Sequence, residues 1–218
     1  FRAEPDERYA ARPAEGTIRI TTVGDSYVFG TDVANDETWQ VHLEALRPEL
    51  EVLNLGLPGA GTDQAYLRWR RDGRRFWSHV VLLGIWPDNL FRNLAVVDYY
   101  RTMISLPLTK PRLVLEPSGG SRFVNAPVMG REALASTLTH PESNPILEHD
   151  FWYHPWDVRP YPHRRVRVLQ LADSVWRRFQ RRQTYRALLR GDAPEALDVA
   201  LAIARRFADD VREDGSIP

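Results

Sequence analysis

Three short β-branched runs punctuate the first half of the chain: Thr17–Val23 (TIRITTV), Glu51–Leu57 (EVLNLGL) and Ser78–Ile85 (SHVVLLGI). Helical patterns fill the gaps between them. In the first gap Asp36 is placed to cap a helix in which Trp39, Leu43 and Leu46 recur at i, i+4, i+7, and Pro48 ends that pattern. A polar helix from Thr62 to about Arg75 fills the second gap. Strand, helix, strand, helix, strand at this spacing predicts βαβ units in a parallel sheet with right-handed crossovers. The third run is apolar on consecutive residues, as a strand covered by helices on both faces requires.

The rest of the chain departs from that alternation. Residues 1–16, with Pro5 and Pro13, read as an extended arm before an α/β domain over 17–218. Pro111 to Val124 predicts a β-hairpin turning at Ser118-Gly119-Gly120. His140 to His163 holds Phe151, Trp152, Tyr153 and Trp156 and reads as an irregular excursion, so that about 107–165 is an insertion. Two helices close the sequence, Val166–Leu189 and Ala193 to about Val211, and Ser216-Ile217-Pro218 opens a further strand. The expected fold is a three-layer α/β/α sandwich with a flavodoxin-like parallel sheet, carrying an inserted hairpin and helical segment. Its last strands are expected beyond Pro218. Because the first residue is Phe1 rather than Met, a segment is expected to have preceded it, and the compartment stays open.

Composition narrows the function classes. Lys+Arg and Asp+Glu both number 29, which argues against nucleic-acid or membrane binding by bulk charge, though not against a local patch. Lys110 is the lone lysine, and so arginine-rich a chain is read as coding bias rather than a binding function. On the helix from Val166 onward, Val168, Leu171, Val175, Phe179 and Leu188 form the expected buried face. Arg164, Arg165, Arg167, Arg177, Arg178, Arg181, Arg182 and Arg186 form its expected solvated side. With no cysteine there is no disulfide, thiolate metal site or cysteine nucleophile. The longest apolar run, Val80–Trp86, is far short of the ~20 residues that span a bilayer. No metal or organic cofactor is expected, since no His/Asp/Glu group has ligand spacing.

In parallel α/β sheets the working groups sit on loops at the carboxyl ends of the strands. Here those loops are Gly24–Gly30, Leu57–Thr62 and Trp86–Asn93. Ser26 lies at the first corner between Asp25 and Tyr27. It reads either as an ordinary turn or as a nucleophile, which would need a base and oxyanion donors. Gly59 lies in the second loop, where a glycine lets a backbone N–H approach a ligand or simply permits the turn. Asn89, beside Asp88, offers a neutral amide donor in the third loop, or a helix cap.

Taken in order, these segments resemble the block motifs of the SGNH, or GDSL-type, hydrolase superfamily. Gly24-Asp25-Ser26-Tyr27-Val28-Phe29-Gly30 is similar to the first block, Val52 to Asp63 to the second, and Val80-Val81-Leu82-Leu83-Gly84 followed by Asp88-Asn89 to the third. The resemblance implies that Ser26 is the nucleophile, with its own N–H, the Gly59 N–H and the Asn89 amide as oxyanion donors. Asp25, Trp86 and Asp88 are then the candidate substrate-contacting residues. The third block normally reads Asn-Asp, so Asn93 is the fallback donor. The family's base lies in an Asp-x-x-His block, which occurs nowhere in these 218 residues; Asp150 to His154 is one residue too long. That block is expected beyond Pro218. The implied activity is a serine hydrolase acting on an ester, deacylating a sugar or other small O-acylated substrate, or an O-acyltransferase. A non-catalytic binding module is the alternative. No nucleic-acid partner is expected, and the oligomeric state is left open.

Overall fold

The computed structural model describes residues 9–102, 108–155, 166–192 and 194–218. Most of the expected N-terminal arm, Trp156 and His163 of the aromatic excursion, Arg164, Arg165 and Ala193 lie outside the described residues. The chain divides into two compact units, Phe1–Asn93 with Val199–Pro218, and Leu94–Asp198. The expected insertion at 107–165 falls inside the second.

The first unit is built on a parallel sheet. β1 (Ile18–Val23) is central, with β2 (Leu50–Asn54) on one side and β3 (Val80–Leu83) on the other, giving the order β2-β1-β3. Registers run from Ile18↔Leu50 to Thr22↔Asn54 and from Ile20↔Val80 to Val23↔Leu83. This is the opening order of the flavodoxin-like winding. Where a strand is expected at Ser216-Ile217-Pro218, the structure has a single bridge on the far edge of β3. Ile217 pairs in parallel with Val80, donates its N–H to His79 O at 2.9 Å and accepts from Val81 N at 2.8 Å. The fold is α/β, as the spacing of the strands predicts.

The helix between β1 and β2 differs from expectation in two ways. Asp36 is not its cap: it lies in a 3₁₀ turn over Asn35–Glu37, and α2 (Trp39–Leu46) starts after Thr38. Nor does the apolar stripe face inward, because Trp39 and Leu46 are exposed while Gln40 is buried. Gln40 Nε2 donates to Val28 O at 2.7 Å, and Glu44 Oε1 accepts from Val52 N at 2.6 Å. β2 is an edge strand among the described elements, and its outward N–H needs an acceptor if it is covered. A polar i, i+4 pair meets those backbone groups where an apolar stripe could not.

α3 (Thr62–Arg68) also ends earlier than expected, widening to a π turn at Trp69–Gly73 and a 3₁₀ turn at Arg74–Phe76. Its polar-looking sequence buries Ala65, Tyr66 and Trp69. These rings meet Phe207 of α8 (Pro194–Glu213) edge-on, Trp69 at 5.5 Å between centroids. α8 buries Val199, Ala200, Ile203, Phe207 and Val211, a stripe at helical spacing. Tyr66 Oη donates to Asp210 Oδ2 at 2.6 Å. Burial first, and that bond second, push the Tyr66 phenol up to about 12. A raised phenol pKa contributes stability in full below ~10 and loses it as pH climbs toward 12. A tyrosinate absorbance titration should therefore show one phenol ionising late, and Tyr66→Phe should remove that step. A Tyr66→Phe titration with the late step intact would place the perturbed phenol elsewhere.

In the second unit α5 (Asp98–Thr102) precedes the hairpin of β4 (Arg112–Leu115) and β5 (Ser121–Val124). The strands pair from Arg112↔Val124 to Leu115↔Ser121 and close with Glu116 N on Gly120 O at 2.8 Å, at the expected turn. α6 (Arg131–Thr139) follows. Asp150 is buried, and its carboxylate accepts the N–H groups of Val96 at 2.8 Å, Val97 at 2.7 Å and Trp152 at 2.9 Å. Burial pushes that carboxyl upward against the pull of those three donors. Asp150 thus organises backbone, and His154 is exposed, so the near-motif Asp150–His154 is not a catalytic pair here.

α7 (Arg167–Arg190) matches the expected helix but presents the opposite face. Of the residues expected to be buried, Leu188 is; Val168, Leu171, Val175 and Phe179 are exposed, Val168 at 74%. The inward side holds arginines with partners: Arg177 pairs with Asp173 at 2.8 Å, and Arg181 Nη1 donates to Arg101 O at 2.7 Å. An amphipathic pattern tells which residues share a face, not which face the rest of the fold covers.

Candidate functional site

Ser26 opens a single helical turn, α1 (Ser26–Phe29), where the chain leaves β1. The turn can form so tightly because neighbouring strand ends lack side chains. A Cβ on Gly84 would lie 2.3 Å from Val28 Cγ2, and one on Gly56 would lie 2.4 Å from Phe29 N. Asn54 completes the seat: its Nδ2 donates to Val28 O at 3.1 Å and to Phe29 O at 3.2 Å, and its Oδ1 accepts from Gly56 N at 3.0 Å. The ends of β1, β2 and β3 therefore close on the Ser26 turn.

Asp25 locks the corner from below. It is 2% exposed. Oδ1 accepts from Tyr27 N at 3.0 Å, which caps α1, and Oδ2 accepts from Asn89 Nδ2 at 3.1 Å and from Arg92 Nη1 at 3.2 Å. Both carboxylate oxygens are engaged, so Asp25 positions Ser26 rather than standing open to a substrate.

Asn89 lies on α4 (Pro87–Arg92), which starts with a proline as N-terminal turns favour. Its Oδ1 reaches back to Trp86 N at 2.6 Å, and its Nδ2 donates to Asp25 Oδ2 and, at 3.1 Å, to Ala60 O. One amide thus bridges the residue before Ser26 and the residue after Gly59. Since neighbouring Cα atoms are ~3.8 Å apart, the three loops meet in one small volume. Both Asn89 N–H groups are engaged in this arrangement. Arg92, one turn on, places Nη1 on the same two acceptors, Asp25 Oδ2 at 3.2 Å and Ala60 O at 3.1 Å, while its Nε lies 2.8 Å from Asp88 Oδ2. Arg92 was not among the residues picked out by sequence. Its signal is the i+3 spacing from Asn89, which places both on one face of α4.

Gly59 sits in an exposed turn at φ +78, closed by Ala60 N on Leu57 O at 3.0 Å. Neither its N–H nor that of Ser26 has a hydrogen-bond partner among the described residues, and the half-exposed Ser26 hydroxyl has none either. Trp86 and Tyr27 stack beside the corner, centroids 4.3 Å apart and planes at 28°, although they are 44% and 60% exposed. Asp88 is partly exposed next to them. Asn93, the fallback donor, is buried: its Oδ1 accepts from Thr62 N at 2.8 Å, while its Nδ2 has no hydrogen-bond partner among the described residues.

What the described residues do not bring to Ser26 is a base. In its unit, His79 lies at the amino end of β3, where Nδ1 accepts from Arg19 N at 3.0 Å, and His42 is exposed on α2. No group of three or more His, Asp or Glu side chains converges as metal ligands would among the described residues. Compared with models of known protein families and with curated proteins, the chain finds no match in either.

Proposed function

We propose that this chain carries an SGNH-type acyl-transfer site, an ester hydrolase or O-acyltransferase, with Ser26 as nucleophile. The observation that carries the reading is the Asn89 amide joining Asp25 to Ala60, which fixes Ser26 beside the Gly59 turn. It leaves the Ser26 hydroxyl and two N–H donors unengaged. In the reaction, Ser26 Oγ bonds to the ester carbonyl carbon and the C–O bond to the leaving alcohol breaks. The serine proton passes by way of a base to that alcohol. Water or an acceptor hydroxyl then takes the acyl group. The resemblance assigns the base to an Asp-x-x-His block that these residues do not contain, so the proposal concerns the serine and its donors.

Ser26 N–H and Gly59 N–H supply the oxyanion hole, and Asn89 joins them by turning one N–H away from Asp25 or Ala60. Arg92 makes that possible, because it keeps both acceptors satisfied. Removing one such donor costs ~10²–10³ in rate. Asn89→Ala should therefore lower turnover of a small acetyl ester by that factor with KM little changed; full turnover would remove Asn89 from the hole. The exposed Tyr27–Trp86 stack favours a substrate with a flat apolar face, such as an acylated sugar ring. The reading is tested by fluorophosphonate labelling of the natural, full-length protein. Labelling lost in Ser26→Ala supports it, and no labelling at all favours a binding module.

A further inference from the structure

The outward side of α7 carries two features that its unit does not use. Val168, Leu171, Ala172, Val175, Trp176 and Phe179 line an open groove of about 630 Å³. Farther along the same side, Arg178, Arg182 and Arg186 are exposed and form no ion pair among the described residues. The helix holds seven arginines against one aspartate, and Asp173 is already paired with Arg177 on the inward side. The outward face is therefore apolar and cationic with no acid to balance it.

We propose that α7 docks in the plane of an anionic lipid surface. Val175, Trp176 and Phe179 enter the boundary between headgroups and acyl chains, and Arg178, Arg182 and Arg186 meet the lipid phosphates. Basic amphipathic helices bearing exposed Trp and Phe bind in this way. No helix among the described residues is long and apolar enough to cross a membrane, so the contact is interfacial. A second copy fits less well, because face-to-face pairing lays the arginine row against either a second arginine row or apolar side chains, with no carboxylate to receive it. A single-stranded nucleic acid could stack on Trp176 and Phe179 but leaves Val168, Leu171 and Val175 in water, whereas a lipid surface covers all of them. This inference is independent of the Ser26 reading.

The test is co-sedimentation of the chain with phosphatidylglycerol/phosphatidylcholine vesicles, against phosphatidylcholine alone, at low and high salt. The expected result is binding to the anionic vesicles only, weakened by salt. Arg178→Gln with Arg182→Gln should lower the partition coefficient about 25-fold, at ~5-fold per arginine. Val175→Glu with Phe179→Glu should abolish it; these side chains are exposed, so the variants keep the fold. No binding, or equal binding to neutral vesicles, overturns the proposal. So does binding that survives the two glutamates, which would leave the arginines alone as a polyanion site. A concentration-dependent dimer that Val175→Glu dissolves would assign the face to a second copy and overturn it as well.

Discussion

Ser26→Ala should abolish ester turnover, by a factor on the order of 10⁴–10⁶, while leaving stability within ~0.5 kcal/mol of wild type. The contrast follows from placement. The hydroxyl is half-exposed and has no hydrogen-bond partner among the described residues, so deleting it breaks no native bond. Its loss removes the atom on which the proposed acyl bond depends. Turnover of p-nitrophenyl acetate and urea denaturation of the same samples measure the two sides. A stable variant with wild-type turnover would show that any esterase activity arises elsewhere.

Asp25→Ala should lose both, a large loss of stability accompanying the loss of activity. Three donors converge on this carboxylate: Tyr27 N, Asn89 Nδ2 and Arg92 Nη1. Deleting it strands the Tyr27 and Asn89 donors and strips Arg92, whose side chain is largely buried, of one of its two carboxylate partners, Asp88 being the other. A buried donor left without its acceptor costs about 1–3 kcal/mol, more where the donor is charged. The measurement is the urea midpoint and its slope. Asp25→Asn, which retains shape and one acceptor, should recover part of the loss, though its amide sets a donor against one of three donors. A fully stable Asp25→Ala protein would mean that these bonds do not hold the corner.

Much of this arrangement is written locally in the chain. β-branched runs give the strands, the Ser118-Gly119-Gly120 turn gives the hairpin, and the stripe from Val199 to Val211 gives α8. The three loops at strand ends are legible for the same reason: strand direction alone decides where loops cluster. What escapes local reading is polar packing at long range. Gln40 turns inward to share Val28 O with Asn54, and that partner lies twelve residues away. Asp25 is held by Asn89 and Arg92, 64 and 67 residues on, so nothing near Gly24-Asp25-Ser26 reveals that its carboxylate is buried. α7 is misread for a related reason. Its periodicity is real, but Arg177 is neutralised within the helix by Asp173, and Arg181 finds an acceptor in Arg101 O, so that side packs inward.

The central claim, that Ser26 N–H and Gly59 N–H converge on an atom bonded to Ser26 Oγ, is tested most directly by a crystal structure of the fluorophosphonate-treated protein. The account predicts phosphorus bonded to Ser26 Oγ, with its phosphoryl oxygen within ~2.7–3.1 Å of both backbone nitrogens. Phosphorus on another residue, or a phosphoryl oxygen on Ser26 turned to solvent and away from Gly59, would contradict it.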